Sequence, residues 1–135
     1  MKDDGLPAFG RRAFVAGAVG ATAFPMEVFA MEEQPAMHGL IGRMRALPGQ
    51  RDALIAILLE GTGGMPGCLS YIVAEDGGDP DALWITEVWD SKQSHADSLK
   101  LPTVQAAIAK GRPLIAGFDS RSETVPLGGV GLPRR

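Results

Sequence analysis

Between Glu87 and Ser98 the chain gathers a carboxylate, an indole, an imidazole and a hydroxyl, in the run EVWDSKQSHADS. His95 is one of only two histidines, and an ordinary imidazole pKa of about 6.5 lets it accept a proton at neutral pH. Glu87 and Trp89 are two apart and so share one strand face, where Glu87 either orients His95 or pairs with an arginine on a neighbouring strand. Trp89 offers a flat pocket wall or fills a core place at a strand end. Ser98, three residues after His95 on the same helical face, either donates to a ligand or satisfies a backbone carbonyl. Tyr71 adds a phenolic group that donates or packs. His38, at the start of the first strand, is expected at the surface, though it could approach the pocket. A base and a donor beside a flat apolar wall are able, where they meet, to take a proton from a bound ligand and hold the charge that forms.

Other chemistries fit the composition poorly. Thirteen basic and sixteen acidic side chains leave a net charge of -3 with no Lys/Arg block, which argues against nucleic acid as a partner. The two histidines share no ligand spacing and the carboxylates fall mostly in loops, so no metal set is expected. Cys68 is the only cysteine; it forms no intrachain disulfide or redox pair and reads as a small buried hydrophobe.

The elements that must position these groups follow from pattern. With 135 residues, 45% apolar and 21% charged, the chain suits one soluble globular domain. Residues 1–30 stand apart from it. Arg11-Arg12, the weakly apolar run Ala13 to Phe24 and the small-residue "VFA" at 28–30 read as a twin-arginine-type signal, with Asp3 and Asp4 a departure from a purely basic start. The run is about 12 residues where a membrane span needs about 20. Export by this route, to the periplasm or otherwise, is the expectation, and cleavage after Ala30 removes three charges of each sign. The twin-arginine route carries folded cargo, which suggests folding before export. Residues 31–36 form a linker, and 37–132 the domain.

Within the domain, His38 to Ala46 reads as a strand, closed by Pro48 and Gly49. Gln50 to Glu60 is an amphipathic helix with Ala53, Leu54, Ile57 and Leu58 on its stripe, stopped by Gly61, Gly63 and Gly64. Cys68 to Glu75 and Ala82 to Asp90 are two strand runs divided by a Gly/Asp/Pro cluster, an antiparallel hairpin. Ser91 caps a short helix bearing His95, and a second helical segment runs to Gly111 with Leu101, Val104 and Ile108 on one stripe. A last strand spans about 115–127. This order, βαββαβ, is an α+β, ferredoxin-like fold, an antiparallel sheet with helices on one face. The strand LWITEVW carries bulky residues on both faces, so the uncovered face is expected to meet a second copy of the chain in a homodimer.

The strand ending EVW, the step DSKQS, the His-bearing helix start, SLKLPTVQAAIAKGRPLI and the closing VPLGGVGL together resemble the antibiotic biosynthesis monooxygenase family, which includes quinol monooxygenases, over Met37 to about Leu132. The resemblance implies a dimeric alpha-beta barrel built from ferredoxin-like domains, with a pocket between sheet and helices. It implies oxidation of a hydroquinone-like aromatic by dioxygen without flavin or metal, hence no cofactor, with a small aromatic and dioxygen as partners. His95 is then the catalytic base, and Trp89, Glu87, Ser98, Tyr71 and His38 bind substrate. Many members place a histidine nine residues after the tryptophan, where this chain has Ser98; its own His95 comes six after. A related branch degrades haem, for which His95 is the available axial ligand. A non-catalytic module that binds an aromatic on the same fold stands as a further alternative.

Overall fold

The computed structural model of the protein describes residues 35–134. The signal-like segment 1–30 and most of the linker lie outside the described residues. The domain runs β1 (His38–Ala46), α1 (Arg51–Gly61), β2 (Cys68–Glu75), β3 (Ala82–Trp89), α2 (Lys92–Ser98), α3 (Pro102–Gly111), a 3-10 turn (Arg112–Leu114) and β4 (Ile115–Thr124). The four strands form one antiparallel sheet in the order β2-β3-β1-β4, so the ferredoxin-like expectation holds. Among the described residues no helix is long and apolar enough to cross a membrane.

Alternation along β3 decides which face is covered. Leu83, Ile85 and Trp89 are buried beneath the helices, while Trp84 on the opposite face is exposed. Two apolar clusters form under the helices. One joins Ala46, Leu54, Leu83 and Ile85; the other joins Met65, Trp89 and Val104, and Tyr71 packs against both.

Several expectations shift by a residue or two. On α1 the buried line is Leu54 with Ile55 and Leu58, while Ala53 faces solvent. On α3 the buried residues are Val104, Ala107 and Gly111, and Ile108 is 41% exposed. α1 and α3 pass so closely at Gly61 that a side chain there would run into Ala107. β4 ends at Thr124 instead of near Leu127, because Pro126 has no N–H to continue the ladder with β1. Cys68 is half-buried, not buried; it sits at the irregular start of β2, and its thiol approaches the Ser70 carbonyl at 3.6 Å.

The β2–β3 connection is held by charge. Asp76 Oδ1 accepts from the Gly78 and Asp79 amides at 2.9 Å each, and Asp76 Oδ2 accepts from Trp84 Nε1 at 2.8 Å and Arg43 Nε at 3.1 Å. These donors hold the Asp76 carboxyl far below the usual carboxylate range, the Gly78 amide most of all. Arg43 also pairs with Asp119 on β4, so one guanidinium joins loop, centre and edge of the uncovered face.

Candidate active site

The junction of β3 and α2 is fixed by two local devices. Ser91, in extended conformation, accepts the Ser94 amide at 3.1 Å and starts α2 at Lys92. Gly67 has a φ of +79°, which favours glycine, and lies so close under Ser94 that a side chain would collide with it; its carbonyl accepts the Asp90 amide at 2.9 Å. The first turn of α2 is thereby pinned, and His95 is turned back onto the end of β3.

There Glu87, Trp89 and His95 come together. Trp89 is 1% exposed, and its Nε1–H donates to Glu87 Oε2 at 2.8 Å. The same oxygen lies 3.6 Å from His95 Nε2, and both side chains are largely shielded from solvent. The indole and imidazole rings meet edge to face, 5.3 Å between centroids and 65° between planes. Among the described residues Glu87 pairs with no arginine; it faces His95. Tyr71 is the register partner of Glu87 on β2.

His38 departs from the surface place expected of it. It is buried, 8% exposed, because it pairs in register with Trp89 and the turn of α2 covers it. Its ring lies 5.7 Å from that of His95. His38 backs His95 and is not itself part of the cavity wall. Ser98 is 3% exposed, and its hydroxyl donates to the His95 carbonyl at 2.6 Å, tightening the turn that carries the imidazole.

In front of these groups is a cavity of about 580 Å³, where the two apolar clusters meet between sheet and helices. Tyr71, Glu87, Trp89, His95 and Ser98 all contribute to its wall. So do Met65, Phe118 and Arg112, which sequence reasoning missed. Met65 follows the glycine-rich end of α1 and Phe118 is an isolated aromatic in a half-polar strand; neither stands in a pattern that separates a lining residue from a loop or edge residue. The volume suits a one- or two-ring aromatic.

Electrostatics divides the labour within this wall. Burial lowers the proton affinity of His95, and the charges of His38 and Arg121 act in the same direction, while Glu87 and Glu123 oppose them. The imidazole is therefore neutral, and able to accept a proton, at neutral pH. Burial and the nearby Glu87 charge push the Tyr71 phenol well above its ordinary range, so it remains an O–H donor. Cys68 is also raised, first by burial and then by Glu87, and stays a thiol. Among the described residues no group of three or more His, Cys, Asp or Glu is placed to hold a metal ion.

The sequence model of the antibiotic biosynthesis monooxygenase family matches residues 37–110 of this chain. The chain belongs to that family. Among solved structures it is similar to a protein of Chloroflexus aurantiacus J-10-fl, provisionally named an antibiotic biosynthesis monooxygenase, at 69% identity over 73% of this chain and 100% of that one, with a TM-score of 0.71. Two more distant members of the antibiotic biosynthesis monooxygenase group, named with the same reserve, share the fold. The protein of Caulobacter crescentus CB15 is 17% identical over 70% of this chain and 93% of its own, with a TM-score of 0.64. That of Nitrosomonas europaea is 14% identical over 72% and 93%, with a TM-score of 0.60. No curated protein matches the chain.

Proposed function

We propose that this member of the antibiotic biosynthesis monooxygenase family oxidises a hydroquinone-like or polyphenolic aromatic with dioxygen, without a cofactor, using His95 as general base. The observation that carries this reading is the contact of Glu87 with both His95 and Trp89 in the wall of an apolar cavity. The imidazole takes the phenolic proton, and Glu87, 3.6 Å away, stabilises the imidazolium that results. The phenolate is then rich enough in electrons to reduce dioxygen. One oxygen atom bonds to a ring carbon, the other leaves as water, and the ring emerges as a quinone. Both electrons beyond those of the new bond come from the substrate, so no external reductant is needed. Tyr71, protonated in its buried place, suits the task of donating to the oxyanion. The largely apolar wall of the cavity strengthens each of these interactions.

Two further readings belong with it. Ile41, Ile72 and Trp84 are exposed on the sheet face opposite the helices, which supports a homodimer formed through that face. Residues 1–30 support export to the periplasm by a twin-arginine-type signal.

The test is oxygen uptake by metal-stripped protein with a series of hydroquinones and dihydroxynaphthalenes. Turnover above the spontaneous rate, falling at least about a hundredfold in His95→Ala, is the expected result, the range for loss of a general base. Saturable binding of these aromatics with no uptake would replace the enzyme by a non-catalytic binding module.

A further inference from the structure

Beside the main cavity lies a second one, of about 370 Å³, opening along β1 and β4. The two cavities share Met44, Ile85, Glu87, His95 and Phe118. They are thus adjoining lobes with a shared wall, and His95 with Glu87 stands at that wall, the waist between them. Both lobes are walled mostly by apolar side chains, and the residues around the second include Arg43 and Arg121. These arginines differ. Arg43 is held by Asp76, Asp79 and Asp119 on the uncovered face of the sheet. Arg121 makes no ion pair among the described residues. Pairing of Gly42 with Arg121 puts Arg121 on the same sheet face as Leu40 and Met44, towards His95. Glu123, the carboxylate nearest to it along that face, has Lys92 at 4.0 Å.

We infer that Arg121 is a specificity-determining residue that receives a carboxylate on the substrate ring, so that the preferred substrate is a hydroxylated aromatic acid whose phenolic hydroxyl lies at His95. The inference rests on the aromatic-binding reading of the site and names its substrate class. A planar guanidinium matches a planar carboxylate with two parallel hydrogen bonds, which fixes both distance and orientation of the ring. Anchoring the acid in the smaller lobe leaves the ring at the waist and the apolar remainder in the larger one. A second benefit follows for reactivity: a carboxylate at Arg121 neutralises one of the charges that hold down the basicity of His95. The substrate thereby makes its own base stronger as it binds. Arg112 also lines the main lobe, at the far end of α3, but it is not among the charges that act on His95. It serves as the control.

The experiment compares isosteres that differ in charge. Binding of 2-naphthoate and 2-naphthamide to the full chain is measured by calorimetry for the wild type, Arg121→Gln and Arg112→Gln, with oxygen uptake on 2,5-dihydroxybenzoate and 2,5-dihydroxybenzamide in parallel. The acid binds about tenfold more tightly than the amide in the wild type, the range for a charge-assisted hydrogen bond. The ratio collapses towards one in Arg121→Gln and persists in Arg112→Gln. Raising the salt concentration shrinks the same ratio without any substitution. Equal affinities in the wild type, absence of binding by either ligand, or a preference abolished by Arg112→Gln and not by Arg121→Gln, overturns the inference. A preference that depends on Arg121 with no oxygen uptake upholds the carboxylate subsite and sinks the monooxygenase reading.

Discussion

In the proposed reaction His95 acts as a base only while it is neutral, and the residues around it set where that ends. Burial places its pKa below the ordinary value, His38 and Arg121 lower it further, and Glu87 and Glu123 pull the other way. Activity should therefore hold as pH falls through about 6.5, the usual imidazole value, and decline only beneath it. Glu87→Gln removes the nearest opposing charge but leaves a carbonyl oxygen to accept from Trp89 Nε1. It should move the acidic limb of kcat/KM to still lower pH and reduce turnover about tenfold, as expected of a group that orients a catalytic histidine. A pH-rate profile checks both; a limb that stays in place assigns Glu87 to packing alone. The same shift bears on stability. A histidine whose folded pKa is depressed binds fewer protons in the folded state, so its contribution is complete above about 6.5 and is lost as pH falls towards the folded value. His95→Asn should narrow the difference in Tm between pH 7.5 and pH 5, measured by differential scanning fluorimetry.

At the scale of elements, the site depends on where α2 begins. Ser91→Ala deletes the acceptor of the Ser94 amide and should cost about 1 kcal/mol, read from urea unfolding. Because His95 lies one turn beyond that cap, the same variant should lose turnover without losing aromatic binding. Elements of this kind were legible in the sequence where punctuation was strong. His38–Ala46 and Cys68–Glu75 were bounded correctly because Pro48, Gly49 and the Gly/Asp/Pro cluster of the hairpin close them. Helix rotation was not legible. Ala53 and Ile55 are equally plausible on a stripe with Leu54, and the choice belongs to packing between elements far apart in sequence, of which Gly61 against Ala107, 46 residues on, is one contact. The contacts of the site divide the same way. Trp89, Glu87 and His95 announce themselves within nine residues, whereas burial of His38 needs the pairing of β1 with β3, and Phe118 needs β4.

For the whole molecule, the uncovered sheet face is the open question of assembly. Ile41 and Trp84 are about two-fifths exposed and Ile72 more than half, on a face otherwise knit together by Arg43, Arg45 and the aspartates around them. Sedimentation equilibrium should give twice the chain mass, and Ile72→Asp should shift it towards the single mass while leaving the circular dichroism spectrum intact. A chain that sediments singly as wild type removes the dimer.

One of the two clusters, and both lobes with the waist between them, are walled in part by β4, which pairs with β1. A growing chain therefore lacks this part of the wall around Glu87 and His95 until Ile115 and Phe118 have been made. Pairing between distant ends of a chain is also among the slower events of folding. On the proposed function, competence thus has a moment of birth, when β4 meets β1, and a chain cut short before Ile115 should take up no oxygen.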